Sequence, residues 1–197
     1  MIKEIISQIT YIEAIAFILS IAQVLLSRKN DPTNYLFGIA STSFTLYLMF
    51  NSKLYAEFTL NIYYLIMSFY GWFLWKFGRA KQEISISYSS SKDYLITISI
   101  IIVSFILFSG TLTLYTDSDV PYWDAAVSAF AWAGMWLMAK RKIENWILLN
   151  ISNIISIPLM IHKSLYLYSV LSGILFLIAI SGYYNWKKII DKKKPTN

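Results

Sequence analysis

Residues 54–76 read LYAEFTLNIYYLIMSFYGWFLWK, and residues 165–187 read LYLYSVLSGILFLIAISGYYNWK. The two stretches align without a gap at an offset of 111 residues. Leu54-Tyr55 falls on Leu165-Tyr166, and Gly71, Trp75 and Lys76 fall on Gly182, Trp186 and Lys187. The same offset extends back to set Glu13–Lys76 against Asp124–Lys187, with Lys29 on Lys140, Asn34 on Asn145 and Ser41 on Ser152. Fourteen of the 64 aligned positions are identical, where roughly five are expected by chance, so the chain reads as an internal repeat. Two copies of a helical unit facing one central space are a common way to build a transporter.

Composition turns that repeat into a membrane protein. Hydrophobic residues make up 57% of the chain and charged residues 14%, well below the ~25% charged fraction of soluble domains. Seven apolar runs have the length that crossing ~30 Å of hydrocarbon requires: about 10–27, 34–51, 56–77, 94–115, 122–139, 145–162 and 166–187. The expected fold is an all-α integral membrane protein. The first run lacks the short apolar core and small-residue cleavage site of a signal peptide and is read as a span. A single transmembrane domain covers 1–197, with repeat one at about 10–77, a linker helix at about 94–115 and repeat two at about 122–188. The segment 78–93, GRAKQEISISYSSSKD, and the tail DKKKPTN read as solvated. There is no cysteine, hence no disulfide or thiol chemistry, which is compatible with an inner membrane.

Charge sets the orientation. Arg28, Lys29, Lys76, Arg79, Lys81, Lys92, Lys140, Arg141, Lys142, Lys187, Lys188, Lys192, Lys193 and Lys194 fall on one side of the seven spans, against Lys3, Lys53 and Lys163 on the other. Fourteen against three places the N-terminus outside and the C-terminus in the cytoplasm. The net charge of +6 is thus a topology signal, and no nucleic-acid partner is expected. Four spans separate each helix from its counterpart, so the copies enter the membrane in the same sense, a 3+1+3 parallel pseudo-repeat rather than an inverted one.

Polar residues inside the spans mark the candidate site. Glu57, Asn61, Tyr64, Ser68, Gly71 and Trp75 share one face of the third span. The sixth offers Trp146, Asn150 and Asn153, the first Glu13, Ser20, Gln23 and Ser27, and the fifth Asp124 and Ser128 with Trp132 and Trp136 nearby. Polar groups are costly in lipid, so such faces should look into the bundle. Single Ser and Thr residues serve most simply as interhelical hydrogen bonds, and Trp75, Trp123 and Trp186 near span ends serve equally well as interface anchors. The deep amides Asn61, Asn150 and Asn153 can instead read a hydroxyl or an amide of a ligand. Glu13, Glu57 and Asp124 lie towards the outer ends of their helices, and no Lys, Arg, Asp or Glu is expected at mid-membrane, which argues for passive facilitation. Aromatic residues suit stacking on a planar, cationic ligand.

No HExxH, GxSxG, P-loop or dinucleotide fingerprint is present, so neither an enzyme nor a cofactor or metal site is expected. The single histidine, His162, falls at the end of the sixth span beside Lys163. A channel lacks support, because neither a carbonyl filter loop nor a ring of charge is evident.

Tyr70-Gly71-Trp72 followed by Trp75, with the PYWDA (121–125), RKIENW (141–146) and KSLYLYSVL (163–171) segments, resembles the Pnu family of bacterial vitamin transporters over about residues 10–190. The resemblance implies a SWEET-like architecture and facilitative uptake of a B-vitamin or precursor, nicotinamide riboside first, with thiamine or riboflavin as alternatives and a SWEET-type sugar facilitator behind them. It also implies a homotrimer in the bacterial inner membrane, and a cytoplasmic vitamin kinase that traps the cargo. Under it, the substrate-binding set is Gln23, Asn61, Tyr64, Trp72, Trp132, Trp136, Asn150 and Asn153. Trp75 and Trp146 close the site or anchor the helices. Pro158-Leu159 and Ser172-Gly173 depart from the family's usual residues, and Pro158 should loosen the sixth span.

Overall fold

The computed structural model describes residues 10–51, 55–78 and 85–192, without the side chains of 55–57, 59 and 60. Lys3, Lys53, Arg79, Lys81, Lys193, Lys194 and the Glu57 side chain therefore lie outside the described residues.

Seven helices follow one another: α1 Tyr11–Arg28, α2 Asn34–Asn51, α3 Tyr55–Phe77, α4 Ser91–Tyr115, α5 Pro121–Ala139, α6 Asn145–His162 and α7 Tyr166–Lys192. They begin and end where local chemistry dictates. Thr10 and Glu13 form a capping box ahead of α1, and Ser90 and Asp93 form one ahead of α4. Pro121 opens α5, at a position where its missing N–H costs nothing. Helices α1, α5 and α6 end in left-handed residues, Asn30 (φ 60°), Arg141 (φ 54°) and Ser164 (φ 60°). In each case the next amide reaches back five residues to a helix carbonyl, the Schellman closure. Helices α1, α4, α6 and α7 are long and apolar enough to cross a membrane by length and composition alone.

The principal packings run in a closed circle: α1 on α2, α2 on α3, α3 on α5, α5 on α6, α6 on α7, and α7 back on α1. Helix α4 packs on α5, outside the circle. The C-terminal ends of the odd-numbered ring helices meet. The Trp75 indole donates to the Ala139 carbonyl at 3.0 Å, joining α3 to α5, and the Trp186 indole donates to the Ser27 carbonyl at 3.1 Å, joining α7 to α1. Since Trp75 and Trp186 also touch, with ring centroids 6.0 Å apart, α1, α3, α5 and α7 run in the same direction. Helices α2 and α6 start at that same end.

Contacts recur at the offset of 111. Ser41 donates to the Ala16 carbonyl at 2.9 Å, and Ser152 to the Val127 carbonyl at 2.8 Å. The fully buried Asn34 and Asn145 donate to the carbonyls of Asp31 and Lys142 at 2.6 and 2.5 Å, tying off the two equivalent turns. Tyr35 meets Trp75 edge-on at 5.1 Å, and Trp146 meets Trp186 edge-on at 5.5 Å. Gly71 lies beneath the Tyr35 ring as Gly182 lies beneath the Trp146 ring. Close approach requires glycine at both places.

Residues 85–93 depart from the expected solvated linker, of which 79–84 lie outside the described residues. Ser91–Asp93 already belong to α4, and residues 85–90 form a strap over the α5–α6 turn. Ser87 exchanges backbone hydrogen bonds of 3.1 Å with Arg141 and Ile143. Ser89 donates its amide and hydroxyl to the Glu144 carboxylate. Ile86, 5% exposed, packs into the main core cluster. A row of serines hides the one apolar anchor that makes the segment structural.

Candidate functional site

Trp75 fixes which way α3 faces. Its side chain crosses to α5 and α7, so residues 4, 7, 11 and 14 positions earlier, namely Gly71, Ser68, Tyr64 and Asn61, share its inward face. The opposite face carries Ile62, Ile66, Phe69, Phe73 and Phe77, all exposed as a lipid-facing surface should be. The polar stripe read from the sequence therefore lines the ring interior. Along it, the Asn61 amide nitrogen lies 3.3 Å from the Met49 sulfur on α2, and Ser68 donates to the Tyr64 carbonyl at 2.8 Å. Gln23 of α1 enters from the side, its amide resting on Gly38 of α2. A side chain at position 38 would collide with that amide.

At the basic end the ring is closed by aromatic residues. Tyr35, Trp75, Trp146 and Trp186 are at most 4% exposed and pack with Ile86, Met138 and Ile143. The two predicted site residues Trp75 and Trp146 thus sit in a plug, and Trp72 packs against its edge with the Lys76 ammonium 5.0 Å over its ring. Trp186, as suited to an interface as to a core by sequence, is fully buried, whereas Trp123 remains 54% exposed. Arg141, counted among the orienting surface charges, is 5% exposed with its guanidinium carbon 4.4 Å from the Trp75 ring. That cation–π contact compensates a charge otherwise costly to bury.

The remaining predicted residues divide between two places. Trp132 lies in the seam of α3, α4 and α5. It stacks flat on Tyr63 at 3.8 Å, meets Phe108 edge-on at 4.5 Å and accepts the Tyr63 hydroxyl on its carbonyl at 3.0 Å. Trp136 carries the Lys140 ammonium 4.2 Å over its ring. Asn150 lines a groove of about 430 Å³ between α6 and α7 with Trp146, Phe176 and Tyr183. The groove's other walls include Ile147, Ile154 and Tyr184, about half exposed, so it opens outward. Asn153 is half-buried between Asn150 and the Ser156–Ser172 hydroxyl pair, which is 3.0 Å across. The structure thus sets Asn61 and Tyr64 on the inward face of α3, Gln23 at the α1–α2 contact, and Trp72, Trp75 and Trp146 at the basic end. It does not bring all ten together.

Tyr35, Tyr63 and Tyr183 escaped the sequence reading, and Arg141 was read only as a surface charge. For Tyr35 a signal existed, since it aligns at offset 111 with Trp146, an aromatic on an aromatic. The side chain of Tyr63 projects beside the stripe rather than within it, and its role depends on a partner 69 residues away.

Four buried polar atoms of this region have no hydrogen-bond partner among the described residues: Tyr35 Oη, Trp132 Nε1, Trp146 Nε1 and Asn150 Oδ1. Such groups are rare in native interiors and suit a hydroxylated ligand that completes them. Charge, by contrast, stays at the ends of the helices. Lys142 and Lys140 face Asp93 at 3.2 and 3.9 Å at the basic end. At the other end Lys163 pairs with Asp124 at 2.6 Å and His162 with Asp119 at 2.6 Å. The imidazole hydrogen bond holds the exposed Asp119 carboxyl below the usual carboxylate range. No cluster of three or more metal-ligating side chains occurs among the described residues.

Residues 10–188 match the family model described as nicotinamide mononucleotide transporter. The chain is 23% identical to the nicotinamide riboside transporter PnuC of Escherichia coli, over 90% of this chain and 85% of that one. It is 28% identical to the Haemophilus influenzae PnuC, over 93% and 82%, and 24% identical to the Neisseria mucosa PnuC, over 93% and 74%. Its fold matches the crystal structure of the vitamin B3 transporter PnuC with a TM-score of 0.76 at 23% identity, covering 93% of this chain and 83% of that one.

Proposed function

We infer, on the premise that the chain belongs to the nicotinamide mononucleotide transporter family, that it takes up nicotinamide riboside across a bacterial inner membrane. One observation carries this. The family match runs from residue 10 to 188, covering six helices whole and all but the last four residues of α7, while relatives matching over 90% or more of the chain are nicotinamide riboside transporters. The protein is a membrane transporter, not an enzyme.

All seven helices cross the bilayer as a 3+1+3 parallel repeat of SWEET-like plan, supported by the shared direction of α1, α3, α5 and α7 and by the contacts that recur at offset 111. The charged end faces the cytoplasm, supported by the clustering of Arg28, Lys76, Lys140 and Lys187 at the meeting ends of the odd helices. Asn61, Gln23, Asn150 and Asn153 read the amide and ribose hydroxyls, while Tyr64, Trp132 and Trp136 offer aromatic faces to the cationic ring. Trp72, Trp75 and Trp146 close the cytoplasmic end. Transport is passive, since the charged side chains of the described helices sit at their ends. A cytoplasmic kinase then traps the cargo, and the working unit is a homotrimer.

A binding titration of the purified protein against nicotinamide riboside, thiamine and riboflavin tests the cargo. Saturable binding of nicotinamide riboside, tighter than that of the other two, is the expected outcome. Tighter binding of thiamine would transfer the protein to the alternative cargo.

A further inference from the structure

We propose that the seam between α1 and α7 is a binding site for one anionic phospholipid, its phosphate held at the basic end by Arg28 and Lys188. A groove of about 410 Å³ runs along this seam. Leu177, Ser181, Tyr184 and Lys188 follow at steps of four, three and four and so share one face of α7. Leu177 and Ile180 give the groove an apolar floor, Ser181 and Asn185 add a hydroxyl and an amide, and Lys188 stands at the rim. Across the seam, the Asn185 amide donates to the Arg28 carbonyl at 2.7 Å, and Arg28 lines the same groove. Neither cation is paired with a described carboxylate.

The dimensions suit a lipid. Eleven residues separate Leu177 from Lys188, which is about 16 Å along a helix and close to half of the ~30 Å hydrocarbon core. A phosphate between Arg28 and Lys188 therefore places its acyl chains on Leu177, Ile180 and Tyr184, which are 39–66% exposed. Ile180 and Tyr184 also border the α6–α7 groove, so a second chain has an apolar path across the face of α7.

The internal repeat supplies the control. At offset 111, Lys188 corresponds to Phe77, Asn185 to Leu74, Ser181 to Tyr70, and Arg28 to Ala139. The equivalent seam between α3 and α5 thus lacks both cations and the amide. The polar rim belongs to α1 and α7 and is not a general property of the basic end. Basic pockets between transmembrane helices are recognised by anionic lipid headgroups, each cation adding a substantial increment. The floor distinguishes a lipid from free phosphate.

Native mass spectrometry of the full chain, titrated with phosphatidylglycerol and phosphatidylcholine of matched acyl chains, tests the site. Phosphatidylglycerol should bind more tightly, and Arg28→Gln and Lys188→Gln should each weaken it about fivefold while leaving phosphatidylcholine unchanged. Lys188→Arg should retain the preference, and Lys92→Gln, on α4, should leave both lipids unaffected. Equal binding of the two lipids, or a preference that survives Arg28→Gln with Lys188→Gln, overturns the proposal. So does loss of binding that coincides with dissociation of an oligomer, since the groove is then a seat for a second copy.

Discussion

At the scale of single residues, the ring is set by where side chains are missing as much as by where they are present. An added Cβ at Gly71 would lie 2.3 Å from the Tyr35 ring, and one at Gly182 would lie 2.8 Å from the Trp146 ring. Gly110 and Gly173 have open space around them. Gly71→Ala and Gly182→Ala should each cost about 1–3 kcal/mol through overpacking. Gly110→Ala should gain about 0.5–1 kcal/mol from helix propensity. Thermal unfolding in detergent separates the two classes, and equal midpoints for all of them would contradict this packing. The α1–α2 turn gives a residue-scale pH response. Thr33 donates its hydroxyl and its amide to Asp31 at 2.7 and 2.9 Å, which holds the carboxyl below its ordinary range. The resulting stabilisation is present above the unfolded value of about 3.9 and is lost as pH falls through the lower folded value. Thr33→Val should raise the Asp31 pKa in a carboxyl NMR titration. The sequence pointed to Asn61 and Tyr64 because helical spacing alone places them with Trp75. It missed the burial of Arg141, because a turn arginine between two lysines reads as solvent-exposed until Trp75 is known to lie beneath it.

Among the elements, five of the seven helices were legible to within one residue at each end, whereas α4 starts three residues earlier, at Ser91, and α7 runs five residues further, to Lys192. A bilayer demands apolar runs of one length, and capping residues and charges punctuate them sharply. The strap was not legible. EISISYSSSKD has the composition of a loop, and only in the fold does Ile86 join the core cluster that holds Trp75 and Trp146. Glu144 anchors this strap through Ser89 and also accepts the Tyr94 hydroxyl at 3.1 Å. Hydrogen bonds to a charged group contribute about 1.5–3 kcal/mol each, so Glu144→Ala should speed amide exchange at Ser87–Ser90 by roughly tenfold or more. Unchanged exchange would show that the Ser87 backbone pairing suffices. In α6, Pro158 lies within a continuous helix Asn145–His162. The expected loosening there is confined to the hydrogen bond that proline cannot donate.

On the scale of the whole molecule, the repeat was visible in sequence as an offset. The closed circle of six helices with α4 outside it was not, because ring closure depends on α7 returning to α1 and on α3 reaching α5 across the linker. The absence of cysteine makes the orientation directly testable. On whole cells, a membrane-impermeant thiol reagent should label Ser164→Cys from outside and reach Lys92→Cys only after permeabilisation. The reverse pattern would invert the assigned sidedness. Asn150→Leu combined with Asn153→Leu should abolish uptake while membrane insertion and the thermal midpoint are kept. Undiminished uptake would remove both amides from the site. The most direct test of the central claim is flux of radiolabelled nicotinamide riboside into proteoliposomes with no ion gradient. The expected result is saturable entry that stops at equal concentrations inside and out and is indifferent to protonophores and sodium. Accumulation above the external concentration driven by an ion gradient, or no protein-dependent entry, would contradict it.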